Sequence, residues 1–152
     1  MISVVIPCYN EKKLLEKILV KISFIKDIDK EIIVVDDGSD KETKEIIQNC
    51  IEKKLIDKIV TLEKNYGKGF ALKRGIEESE KEIILFQDSD LEYDPSDYKK
   101  LIQPILDDKA DVVYGSRFTS NEKGQRVLYF THRIANFILT LLTNTFTTRR
   151  VR

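Results

Sequence analysis

The sequence predicts an α/β fold, a mostly parallel sheet with helices on both faces. Short apolar runs alternate with longer segments whose apolar residues recur at helical spacing, which is typical of parallel sheets built from helical crossovers. Polar or glycine-rich clusters follow the apolar runs. Because right-handed crossovers bring the strand ends to one edge, we expect these clusters to converge there. The 152 residues suffice for one core, and we expect a single domain over residues 1–152.

Five apolar runs of strand length predict the strands of this sheet. They are Ile2–Ile6, Glu31–Val35, Lys58–Leu62, Glu82–Phe86 and Asp111–Gly115. Pro7 ends the first strand because proline lacks an amide donor. The acidic segment Asp36–Asp40 closes the second, since aspartate and glycine favour tight turns.

Five segments with apolar residues at helical spacing predict the helices. They are Glu11–Ile25, Lys41–Ile51, Gly67–Glu78, Ser96–Leu106 and residues 127–146. Asn10 is expected to cap the first helix, because its side chain can accept a hydrogen bond from a free amide. Asp94-Pro95 forms the approach to the fourth.

Composition excludes several classes of protein. The formal net charge is zero with 34% charged residues, which argues against a nucleic-acid binder driven by bulk charge. Cys8 and Cys50 form no disulfide framework, and two reduced thiols in a cytoplasmic protein are expected. The apolar run at 134–146 is too short for a membrane span of roughly 18–20 residues. The start, Met1–Pro7, predicts a strand rather than a signal peptide.

The most informative motif is Asp88-Ser89-Asp90, at the end of the fourth predicted strand. Alternate residues of an extended segment point the same way, so both carboxylates can reach one ion. Mg²⁺ or Mn²⁺ accepts one or two protein carboxylates and completes its shell with substrate phosphate and water. The alternatives are a solvated acidic turn and capping of the next helix. The longer string Asp88–Pro95 is the more specific signal.

Two further clusters suit a nucleotide. In Asp36-Asp37-Gly38-Ser39 a carboxylate can accept hydrogen bonds from a base or ribose, or the segment is simply a strand-to-helix turn. In Asn65-Tyr66-Gly67-Lys68-Gly69 the glycines let backbone approach a ligand before a helix N-terminus that favours anions. The sequence lacks the six-residue glycine fingerprint of dehydrogenases, the Walker A spacing and the kinase glycine loop.

The remaining candidates flank the same predicted edge. Tyr9 can stack on a base and Glu11 can bond a ribose, unless Pro7–Glu11 is only a turn with a helix cap. Arg117 can pair with a phosphate or with a local carboxylate. His132 is the single histidine and has no Cys or His partner at ligand spacing, which argues against a zinc site. The absence of G-x-S-x-G argues against a serine hydrolase.

Taken in order, these motifs resemble family 2 inverting glycosyltransferases of the Rossmann-like GT-A fold. The motifs are Ile6–Glu11, Val34–Ser39, Asn65–Gly69, Asp88–Asp90 and Gly115–Phe118. The chain looks most like the dolichyl- or polyprenyl-phosphate sugar synthases. The resemblance implies a nucleotide-sugar donor of the GDP-mannose or UDP-glucose type, Mg²⁺ or Mn²⁺, and a polyprenyl-phosphate acceptor.

The resemblance also implies a role for individual residues. Donor binding is implied for Pro7, Tyr9, Glu11, Val35, Asp37, Gly67, Lys68, Asp88 and Ser89. Metal binding is implied for Asp88, Asp90 and Glu92. Mannose-synthase relatives often carry Gln at the position of Glu92. Asp90 and Arg117 are the implied catalytic residues.

Past Phe146 the chain departs from the family, which continues with a further segment that closes the site. We therefore expect a chain that lacks the C-terminal part of the family unit. The stripe Ile134–Phe146 with arginines on either side suits peripheral contact with an anionic membrane, or packing on the domain. Two alternatives stay open: a sugar or polysaccharide hydroxyl as acceptor, and a catalytically inactive nucleotide-binding module.

Overall fold

The computed structural model describes residues 1–115. By its internal contacts the chain divides into two units, Met1–Val113 and Tyr114–Arg152. All helices and strands given below lie in the first unit. The expectation of a single domain over the whole chain stays a prediction.

Four parallel strands form the sheet in the described part of the chain. They are β1 (Ile2–Cys8), β2 (Lys30–Asp36), β3 (Lys58–Thr61) and β4 (Ile83–Phe86). Their spatial order is β3-β2-β1-β4. Ile2 lies opposite both Lys30 and Ile83, and Ile33 lies opposite Lys58. The predicted α/β class with a parallel sheet is confirmed.

Four α-helices connect and follow these strands. They are α1 (Leu15–Ser23), α2 (Lys41–Glu52), α3 (Lys68–Glu77) and α4 (Tyr98–Leu106), the last preceded by a 3₁₀ turn at Pro95–Asp97. Within residues 1–115, no helix combines the length and the apolar character that crossing a membrane would require.

The two faces of the sheet are covered unequally. Val4, Ile6 and Val34 belong to a large apolar core shared with buried residues of α1, α2 and α4. Val5 and its neighbours on the opposite face belong to a smaller core closed by α3. Alternation of side chains along each strand produces this division. A Cβ at Gly75 would collide with the side chain of Val5, so glycine lets α3 lie close to the sheet.

Two predictions about local structure are wrong. Asn10 does not cap the first helix: its φ is 53°, and its Oδ1 accepts from the amide of Asp40 instead. The helix begins later, since Glu11 Oε1 accepts the amides of Lys13 and Leu14.

The predicted fifth strand at Asp111–Gly115 is not formed. Val112 and Tyr114 are exposed, and no strand of the described sheet pairs with this run. An apolar run without burial or a ladder partner has little to stabilise it as a strand. The predicted helix at 127–146 lies outside the described residues.

Candidate active site

A cleft of about 330 Å³ opens at the carboxyl ends of β1 and β4. The strand order changes direction at β1, because β2 and β3 lie on one side of this strand and β4 lies on the other. Ligands of open α/β sheets bind in the crevice at such a switch point. The cleft is lined by Pro7, Cys8, Tyr9, Asp37, Asn65, Gly67, Lys68, Ala71, Asp88, Ser89 and Asp90.

The turn after β2 fastens the glycine loop that precedes α3. The two carboxylate oxygens of Asp37 accept the amides of Tyr66 and Gly67, each at 2.8 Å. Gly38 has φ 71°, and a Cβ there would lie 2.6 Å from Lys64 Cα. The two segments therefore pack backbone to backbone, which orients the N-terminus of α3.

The turn after β1 is fastened to the same region. The amide of Asn10 donates to Ser39 Oγ at 3.0 Å, and Asn10 Oδ1 accepts the amide of Asp40 at 2.9 Å. The expected convergence of polar clusters is confirmed for the turns after β1, β2, β3 and β4. The fifth cluster, Gly115–Phe118, lies outside the described residues except for Gly115.

A buried glutamine supports the acidic loop that follows β4. Gln87 Nε2 donates to the carbonyls of Asp88 and Tyr93, at 3.1 and 3.4 Å. Its Oε1 accepts the hydroxyl of Tyr98 on α4 at 2.9 Å. Gln87 and Tyr98 are 1% and 2% exposed, and burial raises the pKa of the phenol. Gln87 thus holds both ends of the acidic loop, at Asp88 and Tyr93, and is itself held by Tyr98.

The two aspartates of the acidic loop have different partners. Asp88 Oδ1 lies 2.5 Å from Lys68 Nζ, the first residue of α3. Asp90 Oδ1 accepts the amide of Glu92 at 2.8 Å. In residues 1–115 no group of three or more Asp, Glu, His or Cys is arranged as a metal site. Any cation held here would therefore combine two aspartates with oxygens from elsewhere.

The cleft brings most of the predicted site residues together, from the donor-binding, metal-binding and catalytic sets. Those lining it are Pro7, Tyr9, Asp37, Gly67, Lys68, Asp88, Ser89 and Asp90. Tyr9 is 52% exposed, so its ring is available for stacking.

Three predicted residues do not line the cleft. Val35 is fully buried against α3, so its side chain has no access to a ligand. Glu11 is engaged at the start of α1. Glu92 does not line the cleft, and its role as a third ligand stays a prediction. Arg117 lies outside the described residues.

The structure adds residues that the motifs did not single out. Asn65 and Ala71 line the cleft; Asn65 belongs to a predicted cluster, and Ala71 lies one helical turn after Gly67. Cys8 also lines it, and desolvation raises the pKa of its thiol to about 12, so it is protonated at neutral pH and is no nucleophile. Cys8 and Cys50 are both free, as expected. Gln87 begins a predicted polar cluster, but its supporting role is not predicted because its partners Tyr93 and Tyr98 are identified only by the fold.

Comparison with known proteins finds curated relatives with named activities and solved structures of similar fold, of which one relative and two structures follow. The dolichol-phosphate mannosyltransferase of Pyrococcus furiosus is 33% identical over 123 residues, which are 80% of this chain and 34% of that protein. The glucosyl-3-phosphoglycerate synthase of Mycobacterium tuberculosis, solved with Mn²⁺, UDP and glucosyl-3-phosphoglycerate, is 32% identical with a TM-score of 0.57. That match covers 69% of this chain and 39% of the synthase.

The other solved structure is a mannosyltransferase of Pyrobaculum calidifontis in complex with GDP-Man and Mn²⁺. It is 28% identical with a TM-score of 0.53, over 59% of this chain and 27% of that one. These likenesses confirm the predicted GT-A fold class. The chain spans 34% to 59% of the length of two curated relatives that it matches.

A family model described as Glycosyl transferase family 2 matches residues 3–150. The match runs through all the motifs that converge on the cleft. The chain belongs to glycosyl transferase family 2.

Proposed function

We propose that this chain supplies the donor-binding part of an enzyme that transfers a sugar from a nucleoside diphosphate to a polyprenyl phosphate. The observation that carries the proposal is the placement of Asp88 and Asp90 in one cleft with Lys68 and the N-terminus of α3. Such a site offers carboxylates for a cation and positive groups for a diphosphate.

The carboxylates of the cleft suit a hard divalent cation. Asp88 and Asp90 both line the cleft, and Mg²⁺ or Mn²⁺ binds through one or two carboxylates plus substrate phosphate. Two solved relatives hold Mn²⁺ together with a nucleotide or nucleotide sugar. When bound, the cation would neutralise charge on the departing diphosphate.

The rest of the cleft suits the nucleoside and the phosphates. Tyr9 offers an exposed ring to the base. Asp37 keeps the glycine loop in place, so the N-terminus of α3 faces the cleft. Lys68 adds a flexible ammonium at that N-terminus. We propose a donor of the GDP-mannose or UDP-glucose type, since the solved relatives bind GDP-Man in one case and UDP in the other.

A lipid phosphate is the proposed acceptor because curated relatives carry such names, including a dolichol-phosphate mannosyltransferase and an undecaprenyl-phosphate sugar transferase. A phosphate oxygen is ionised at neutral pH, so the residues need to position two anions rather than remove a proton. Attack at the anomeric carbon would break the bond to the diphosphate and invert configuration. Arg117 is proposed to hold a phosphate during this step.

Asp90→Ala tests the proposal directly. Titration calorimetry of the wild-type chain with UDP and with GDP should show binding of one nucleotide that strengthens when Mn²⁺ is added. Asp90→Ala should lose the Mn²⁺-dependent part of the affinity, about tenfold or more for a lost charged ligand. Asp27→Ala, an exposed aspartate that does not line the cleft, is the matched control and should bind as the wild type does.

Transfer is assayed separately, with labelled donor and a polyprenyl phosphate. Product formation that depends on Mn²⁺ supports the full proposal. Tight nucleotide binding without transfer would identify a nucleotide-binding module instead. If neither nucleotide binds, or if Asp90→Ala keeps full Mn²⁺-dependent affinity, the assignment of the cleft is wrong.

A further inference from the structure

The ion pair between Lys68 and Asp88 crosses the cleft at the place proposed for the cation. Lys68 Nζ lies 2.5 Å from Asp88 Oδ1. The lysine side chain is 61% exposed and the aspartate 24% exposed. The lysine side chain is therefore largely accessible to solvent, whereas the aspartate lies in a loop whose backbone is held by Gln87.

A divalent cation bound at Asp88 Oδ1 would compete with the ammonium group of Lys68 for the same oxygen. Two positive groups within about 4 Å of each other repel, so each disfavours the presence of the other at this oxygen. A cation bound to Asp88 and Asp90 would replace the ammonium as the counter-ion of Asp88. An exposed ion pair contributes little to stability, so its loss costs little.

Lys68 has a second position available once it is released. It is the first residue of α3 and follows Gly67, whose amide is held by Asp37. The N-terminus of a helix favours an anion, and the flexible lysine stem lets the ammonium reach a phosphate bound there. The same side chain can thus serve Asp88 without a ligand and the diphosphate with one.

We propose that Lys68 is an exchangeable counter-ion: it neutralises Asp88 before the divalent cation binds, and it moves to the donor diphosphate afterwards. This inference rests on the proposed function of the cleft. It makes Lys68 a competitor of the metal ion in the absence of nucleotide and a ligand of the nucleotide in the presence of the metal ion.

The test uses Lys68→Gln and two binding measurements that need no turnover. Free Mn²⁺ is followed by electron paramagnetic resonance without nucleotide, and nucleotide affinity by calorimetry at saturating Mn²⁺. We expect Lys68→Gln to bind Mn²⁺ about threefold more tightly, because an exposed competitor is removed. We expect it to bind the nucleoside diphosphate about tenfold more weakly, because a charged contact to phosphate is lost. The nucleoside monophosphate should be affected less than the diphosphate.

Lys73→Gln is the matched control, an exposed lysine of the same helix that does not line the cleft. It makes the same change in net charge and should leave both affinities within twofold of the wild type. Opposite effects on Mn²⁺ and on diphosphate in Lys68→Gln alone support the exchange. Unchanged or weakened Mn²⁺ binding in Lys68→Gln overturns it, even where the wild type binds nucleotide normally. A wild type that binds neither Mn²⁺ nor nucleotide overturns the proposed function and the exchange together.

Discussion

Charged residues lie both where the strands begin, here called the amino edge, and where the strands end, the carboxyl edge. Their surroundings at the two edges differ. At the amino edge, Glu31 is 7% exposed. It accepts the hydroxyl of Ser3 at 2.5 Å and the amide of Glu80 at 2.7 Å, and it pairs with Lys58 at 3.4 Å. At the carboxyl edge, Asp88 and Asp90 face a cleft instead. Protein donors surround Glu31 at the amino edge, whereas Asp88 and Asp90 at the carboxyl edge line a cleft.

This difference separates a structural charge from a charge available to a ligand. Burying a carboxylate is unfavourable unless hydrogen bonds and an opposite charge compensate, and Glu31 has both. Asp88 has one exposed lysine as its partner. The carboxyl edge therefore keeps the capacity to bind a cation and a phosphate, and mutations at the two edges should have separable effects.

Gly38→Ala should have the largest effect, because it damages the scaffold on which the carboxyl edge depends. Gly38 has φ 71°, and a Cβ would lie 2.6 Å from Lys64 Cα and 2.7 Å from Asn65 N, both backbone atoms. We expect a loss of about 3 kcal/mol in the free energy of unfolding, from strain plus the collision. Urea unfolding measures this, and nucleotide affinity should fall with it because the loop is displaced.

Gly67→Ala is the comparison for Gly38→Ala. Gly67 also has a positive φ, 93°, but nothing lies within 4 Å of the position a Cβ would take. It should cost about 1–2 kcal/mol from backbone strain alone. Equal losses in the two variants would show that the backbone contact between the two turns contributes nothing.

Glu31→Gln should give the next largest effect, confined to the amino edge. The amide keeps the shape but loses the charge beside Lys58 and offers a donor where acceptors are needed. We expect a loss of about 2 kcal/mol in unfolding free energy with unchanged nucleotide affinity. Glu45→Gln, at an exposed position on α2, should be neutral. A loss of nucleotide binding in Glu31→Gln would contradict the separation of the two edges.

The pH dependence of stability gives a second measurement on Glu31. Burial alone would raise its pKa, but the hydrogen bonds from Ser3, Glu80 and Lys58 outweigh burial and lower it. Its contribution is therefore full above the ordinary pKa of about 4.3 and is lost as pH falls toward the lowered value. Unfolding free energy of the wild type should fall more steeply below about pH 4.3 than that of Glu31→Gln. Parallel slopes would show that Glu31 is not the titrating group.

The two edges also differ in how far the sequence predicts them. The polar clusters of the carboxyl edge can be predicted from the sequence because each is contiguous and follows an apolar run, as Asp88–Asp90 does. The amino-edge network was missed because Ser3, Glu31 and Lys58 are single residues on three strands. They meet only through the parallel register, in which Ser3 lies opposite Glu31.

The predictions that the structure contradicts have local physical causes. The residue type of Asn10 predicts a helix cap, whereas its side chain accepts a hydrogen bond from the neighbouring turn. Donor binding by Val35 stays a prediction, and the alternation of β2 places its side chain in the core under α3. The order β3-β2-β1-β4 results from pairing between distant segments of the chain. The sequence alone therefore does not predict that the cleft lies where the strand order changes direction.

Tyr98→Phe should have the smallest effect on stability. It also tests whether a hydrogen bond in the core affects binding in the cleft. It removes the hydroxyl that donates to Gln87 Oε1 and leaves the ring in place. We expect a loss of about 1 kcal/mol for a buried acceptor left without its donor. Ile102→Val, a buried truncation on the same helix, should cost about as much and serves as the control.

The two variants differ in what they should do to the acidic loop. Gln87 donates to the carbonyls of Asp88 and Tyr93, so a Gln87 released by Tyr98→Phe would hold the loop less firmly. Mn²⁺-dependent nucleotide affinity should therefore fall severalfold in Tyr98→Phe and stay unchanged in Ile102→Val, although both lose similar stability. Equal affinities in the two variants would assign Gln87 and Tyr98 to the core alone. Unequal affinities at equal stability would show that the carboxyl edge is positioned from within the fold, by a hydrogen bond that itself never reaches the cleft.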